Sequence, residues 1–167
     1  MVFLHGRGLC AQVWTPIAEA FSSKFRVLAM DLRGHGDSDM PDGDYDWFQF
    51  ASDLPNFIDV LQLDKVLLVA HSRGGGVAVI GGAQRAERIS GAVLIEPNVP
   101  YARPDAGAGD NAARPNSAVE EAGRRRAVWD SREQFIQRLR TAAGFKNWRD
   151  DILWLYVEHG TRVRVDG

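Results

Sequence analysis

The 167 residues include one cysteine, Cys10, so no disulfide can form within the chain and the fold cannot depend on one. No apolar run approaches the roughly 20 residues that cross a bilayer. The start, Met1-Val2-Phe3-Leu4-His5-Gly6, lacks the basic stretch followed by a long apolar one that marks an export signal. Charge of one sign is not in excess either: 20 basic against 22 acidic residues leave a net charge of -2. That balance supplies no electrostatic reason to propose nucleic acid or an anionic membrane as partner. Neither is expected, and a cytoplasmic protein is the expectation. Internal repeats are absent. What is present is 45% hydrophobic residues, ordinary for a globular chain and enough for one sizeable core.

The first hundred residues alternate short apolar runs with helical patterns. Val2 to Leu4, Arg26 to Met30, Lys65 to Ala70 and Ala92 to Ile95 read as strands, with helices after Thr15-Pro16, from Asp46, and over Gly74 to Ala86. Such alternation means parallel βαβ units. Val66-Leu67-Leu68-Val69-Ala70 is apolar at every position, as a strand covered on both faces should be, which places it inside the sheet. The expected strand order is Arg26–Met30, Val2–Leu4, Lys65–Ala70, Ala92–Ile95. Thr15 with Pro16, and Asp46 with Gln49, are read as helix starts. Pro55 should kink or split the helix from Trp47 to Leu61. Beyond Pro97 the composition changes: Pro100 to Asn116 is rich in Ala, Gly, Pro, Asp and Asn and reads as a loop or linker. Ser117-Ala118-Val119-Glu120 and Ser131-Arg132-Glu133-Gln134 are capping boxes opening helices, and Trp148 to His159 makes another.

The segment that carries chemistry is Ala70-His71-Ser72-Arg73-Gly74, at the end of the buried strand and before a glycine-rich helix. A serine on such a turn projects its hydroxyl from the sheet edge, and the helix N-terminus behind it favours a developing oxyanion. Ala70 stands where the G-x-S-x-G pattern has its first glycine, a change of one methyl group. Leu4-His5-Gly6-Arg7-Gly8 ends the first strand in a loop that can aim a second backbone N–H at the same point. Two such donors are worth about 3 kcal/mol each in measured oxyanion holes.

With Asp31-Leu32-Arg33-Gly34-His35-Gly36-Asp37-Ser38 between them, these stretches make three ordered motifs. In letters, order and spacing they resemble the α/β-hydrolase family, closely over residues 1–100 and more loosely through the helical remainder. The resemblance implies a partial α/β-hydrolase fold: a short, mostly parallel sheet flanked by helices, then an all-helical cap. It divides the chain into a core (1–99), a flexible linker (100–116) and a cap segment (117–167). Ser72 would be the nucleophile of a serine hydrolase acting on a small-molecule ester or related carbonyl compound through an acyl-enzyme, with the N–H groups of Arg7 and Arg73 as oxyanion donors. No cofactor and no metal are implied. Serine at the elbow, where the family's dehalogenases and epoxide hydrolases use aspartate, argues against their chemistry.

The same resemblance implies a fragment without the first two and the last strands, because the family's triad runs serine, acid, histidine in chain order. Glu96, after the fourth strand, stands where some members carry the acid. His159 is the histidine that follows in order. Glu96 reads equally as an ordinary strand end, and His159 as cap sequence, so the triad's acid and base are expected outside this chain. The structural role is the expectation for His35 and His71, and a loop-fixing ion pair for Arg33. The Arg124-Arg125-Arg126 cluster is expected to pair with Glu120 and Glu121 on a solvated helix face. The rival reading is a non-catalytic fragment or interaction module, whose unpaired sheet edges would promote self-association.

Overall fold

The computed structural model describes residues 1–42, 45–100 and 126–164. Strands β1 (Val2–Leu4), β2 (Leu28–Met30), β3 (Val66–His71) and β4 (Ile89–Ile95) form one sheet in the order β2-β1-β3-β4. Every pairing is parallel, with Leu4 opposite both Met30 and Ala70, and Ala70 opposite Leu94. The carboxyl ends of all four strands therefore lie along one edge, and the loops that leave them meet there. This is the expected order, although the fourth strand begins at Ile89, three residues before Ala92.

Helices α1 (Thr15–Phe21), α2 (Trp47–Val60) and α3 (Arg73–Ala83) accompany the sheet. The main core joins Val2, Leu4, Leu68 and Ala70 of the sheet to Phe50, Leu54 and Ile58 of α2 and Val77 of α3. Burying each of the large side chains stabilises the fold by roughly 1.5–3 kcal/mol. Coverage is complete on β1, where Val2, Phe3 and Leu4 are all buried, and uneven on β3. Val66, Leu68 and Ala70 are buried, whereas Leu67, Val69 and His71 between them are only half-buried. The continuous apolar run of β3 thus overstated its burial, because an apolar residue records what a face can tolerate and not what covers it. On β4, Val93, Leu94 and Ile95 are exposed.

Two local expectations are corrected. Pro55 does not split α2, which runs unbroken from Trp47 to Val60. Proline removes the N–H that would bond the Ala51 carbonyl, and Gly81 of α3 packs against that same carbonyl, where a Cβ would overlap it. The freed acceptor is thereby covered by a neighbouring backbone. Thr15 is not a cap: a 3-10 turn, Ala11–Trp14, precedes it, Thr15 is already helical, and its hydroxyl donates to Gln12 Oε1 at 2.9 Å. Asp46 does cap α2, accepting the Gln49 N–H at 2.8 Å.

Two further helices, α4 (Arg132–Thr141) and α5 (Asp150–Gly160), share a second core of Ile136, Leu139, Leu153 and Val157. Ser131 caps α4 by accepting the Gln134 N–H at 3.2 Å. Phe135, Phe145, Trp148 and Tyr156 pack on this core, and Trp129 stacks on Phe135 at 4.8 Å. The helix α5 packs on the Ala11–Trp14 turn, and Arg162 Nη2 donates to the Gly36 carbonyl at 3.0 Å. The helical pair is thus tied to the loops at the carboxyl edge of the sheet. The linker read over 100–116, apart from Pro100, the capping box at Ser117 and the partners read for Arg124 and Arg125 lie outside the described residues; Arg126 lies over the Trp129 ring and pairs with Asp130.

Candidate active site

Ser72 sits between β3 and α3 with φ 49 and ψ -113. For an L-residue this is a strained conformation, costing of order 1–3 kcal/mol, and it persists only where the surroundings over-determine it. Here they do. The Ser72 N–H donates to the Ile95 carbonyl (3.0 Å), while the Ser72 carbonyl accepts from the N–H groups of Asn98 (2.8 Å) and Gly75 (2.9 Å). On the other side, the Gly74 N–H donates to the His5 carbonyl at 3.1 Å. The elbow is bonded both to the end of β4 and to the loop after β1.

Close approach demands the glycines. A Cβ on Gly74 would stand 2.5 Å from the Leu4 carbonyl oxygen, and one on Gly75 would stand 2.6 Å from Pro97 Cβ. A Cβ on Gly6 would stand 2.7 Å from His71 Nδ1, so the β1 loop lies flat against the His71-Ser72 turn. Ala70, in the position of the missing glycine, is fully buried in the main core, where its methyl group is accommodated.

A polar network fixes the neighbouring loops. Asp31 accepts the Ala11 N–H on Oδ1 (2.6 Å) and the Asp37 N–H on Oδ2 (3.1 Å). His35 Nε2 accepts the Gly8 N–H at 3.0 Å, and His5 Nε2 accepts the Leu32 N–H at 3.0 Å. With Nε2 accepting, the proton of each neutral ring is on Nδ1, which donates to the carbonyls of Arg33 (2.9 Å) and Gly6 (2.8 Å) respectively. Burial holds the pKa of both imidazoles down, that of His5 to about 4. The Asp31 carboxylate, 3.8 Å from His5, is too far to bond it and does not outweigh burial. Burial likewise pushes the Cys10 thiol up to about 11, leaving it a small apolar residue. Arg33 makes a two-pronged ion pair with Asp53 at 2.6 and 2.7 Å, anchoring the loop to α2.

Arg73 is the first residue of α3, so its N–H has no acceptor in the helix, and it has none elsewhere among the described residues. Arg7 lies in the turn closed by Leu9 N–H and the Gly6 carbonyl. The backbone of Glu96 is brought beside the elbow, between the two bonds that Ile95 and Asn98 make to Ser72, in a left-handed conformation (φ 44). Its side chain is exposed. His159 is half-buried in the last turn of α5. Among the described residues no hydrogen bond joins Glu96, His159 and Ser72. Nor does any group of three or more His, Cys, Asp or Glu side chains stand close enough to hold a metal. No described helix is long and apolar enough to cross a membrane.

Two features were beyond sequence reasoning. The first is the clamp from Ile95 and Asn98 onto Ser72, a pair of backbone bonds without a residue-type signature. The second is the Arg73 side chain, which lies over the rings of Phe50 (4.6 Å) and Trp47 (5.1 Å). A large cationic residue between the serine and Gly74 was the signal for it.

The sequence model described as the alpha/beta hydrolase family matches residues 1–164. The chain is 35% identical over 103 residues to a haloalkane dehalogenase of Mesorhizobium japonicum, a match covering 62% of this chain and 33% of that protein. It is 32% identical over 96 residues to a 2-(acetamidomethylene)succinate hydrolase of the same organism, covering 58% and 34%. The crystal structure of an E-2-(acetamidomethylene)succinate hydrolase superposes on all of this chain and on 58% of its own, with a TM-score of 0.79 and 27% identity. The matched stretch is thus about a third of the length of these relatives in sequence. The four-stranded parallel sheet, the strained serine turn and a family match along almost the whole length place this chain in the alpha/beta hydrolase family.

Proposed function

We propose that Ser72 is the nucleophile of a serine hydrolase acting on a small ester or related carbonyl substrate. The observation that carries the reading is the strained Ser72 turn with the unbonded Arg73 N–H beside it. In this reaction Ser72 Oγ adds to the substrate carbonyl and its proton passes to a base. The oxyanion is met by the N–H groups of Arg73 and Arg7. Collapse breaks the bond to the leaving group, which takes the proton from the base. Water then adds to the acyl-serine, and the acid is released as Ser72 regains its proton. Serine in place of aspartate separates this chemistry from that of the dehalogenase relative. By chain order Glu96 and His159 stand where an acid and a base would follow the serine, but Glu96 is exposed and neither side chain bonds Ser72, so the reading leaves the acid and base outside this chain. Treatment with a fluorophosphonate probe tests the nucleophile: labelling is expected in the wild-type chain and absent in Ser72→Ala. A folded wild-type sample that takes no label would refute it.

A second reading, a catalytically incomplete module, is favoured by the missing bond between either residue and Ser72, since an unactivated serine is a weak nucleophile. The exposed Val93, Leu94 and Ile95 of β4 then make an edge for self-association. Sedimentation velocity is expected to show oligomers that Val93→Lys returns to monomer. A monomeric wild-type chain at high concentration rules that edge out.

A further inference from the structure

We propose that Arg73 gives the site a preference for substrates that carry a carboxylate, an inference that rests on the Ser72 reading for the place of the reacting carbonyl. Arginine immediately after the serine puts a permanent cation at the start of α3, where the backbone already carries positive potential. Half-buried guanidinium groups are ordinarily matched by a carboxylate or by hydrogen bonds to carbonyl groups. Elsewhere in this chain Arg33 pairs with Asp53 and Arg85 with Asp59. Arg73 forms no such pair among the described residues, and its Nε is walled off with no hydrogen-bond partner.

What holds the side chain is aromatic. The guanidinium carbon lies 4.6 Å from the Phe50 ring centre and 5.1 Å from that of Trp47, contacts that fix its place and leave its charge unneutralised. Phe50 is fully buried and rests against His35 at 6.4 Å, and His35 in turn holds the Gly8 N–H of the β1 loop. The cation therefore stands between α2 and the loop that flanks Ser72. Burial holds the Arg73 pKa down, and among the described residues the charged group that adds to this is another cation, Arg7. Arg73 thus has no counter-ion among the described residues, and an anion beside it would be favoured. A carboxylate on the acyl part of the substrate supplies that anion and accepts charge-assisted hydrogen bonds from the guanidinium.

A binding experiment reads this without requiring turnover. Monomethyl glutarate and its neutral analogue methyl 5-oxohexanoate present the same ester on chains of similar length, one ending in a carboxylate and the other in a ketone. Each is titrated into the labelled chain while the Ser72 and Gly74 amides are followed by NMR, together with the Arg73 Nε–H, whose burial slows its exchange. The anion is expected to bind at least about tenfold more tightly than the ketone, consistent with a charge-assisted bond. That preference is expected to vanish in Arg73→Met, which keeps the backbone N–H and an apolar stem, and to return in part in Arg73→Lys. Equal affinity for both esters, a preference that survives in Arg73→Met, or no binding by folded protein would overturn the inference. Fluorophosphonate labelling separates the two claims. Labelling without charge preference removes the role of Arg73 and keeps Ser72 as nucleophile; charge preference without labelling does the reverse.

Discussion

Gly74→Ala is expected to lower the unfolding free energy by about 3 kcal/mol, at the upper end of what overpacking a tight site does. The added methyl would meet backbone on the opposite side, with the Leu4 carbonyl oxygen at 2.5 Å, its carbon at 2.7 Å and the His5 carbonyl oxygen at 2.8 Å. Side chains can turn away from such a clash, but β1 cannot, because it is paired to β2 on one flank and β3 on the other. Relief must come from moving the start of α3, which breaks the bond from the Gly74 N–H to the His5 carbonyl and releases the Ser72 turn. Gly144→Ala is the matched control, since nothing lies within 4 Å of a Cβ there, and its effect is expected to stay within about 0.5 kcal/mol. Urea denaturation of both variants checks the pair. Equal midpoints would show that the β1 loop yields, and that the contact does not define the elbow.

Acid is expected to destabilise this fold through its histidines. His5 is neutral in the native state, with its pKa held down to about 4 by burial against an ordinary value of 6.5. Between those two values the unfolded chain binds a proton that the native chain refuses, so stability is complete above the unfolded pKa and falls as pH is lowered. Taken alone, His5 removes about 2 kcal/mol by pH 5 and about 3 kcal/mol by pH 4. His35, also depressed by burial, acts in the same direction. The loss is local in origin: a proton on Nε2 replaces the acceptor that holds the Leu32 N–H, or, for His35, the Gly8 N–H. Urea midpoints from pH 7.5 to 4.5 should therefore fall more steeply in the wild type than in His5→Gln. Imidazole nitrogen NMR at pH 7 should show both rings protonated on Nδ1, and a His5 ring that titrates near 6.5 would sink the account.

The two effects converge on the same loops. The glycine at the start of α3 and the histidines after β1 and β2 each hold backbone at the carboxyl edge of the sheet, where the Ser72 hydroxyl emerges. Of the two, the His5 bond was the harder to foresee. Leu4-His5-Gly6 marks a loop after a strand, but nothing in those letters tells that His5 reaches the Leu32 N–H, 27 residues away.

The sequence by itself determined that the four strands pair in parallel, because short apolar runs separated by helical patterns call for crossover connections. It also determined the serine turn. A hydroxyl between a buried strand and a helix that opens with three glycines has few other structural solutions. Caps showed through where a single side chain satisfies a nearby N–H, as Asp46 and Ser131 do. Thr15 misled because the turn ahead of it is set by the surroundings of Ala11 to Trp14 and not by the threonine. The split read at Pro55 failed because Phe50, Leu54 and Ile58 on both sides of it are buried in the same core, and that packing holds α2 together across the one lost bond. Tertiary structure alone decided that one face of β3 is only half covered, that Ile95 and Asn98 hold Ser72 in its strained conformation, and that Arg73 lies on two rings without a counter-ion among the described residues. Each depends on groups distant along the chain that meet only once the sheet is assembled, and local propensity carries no record of such meetings.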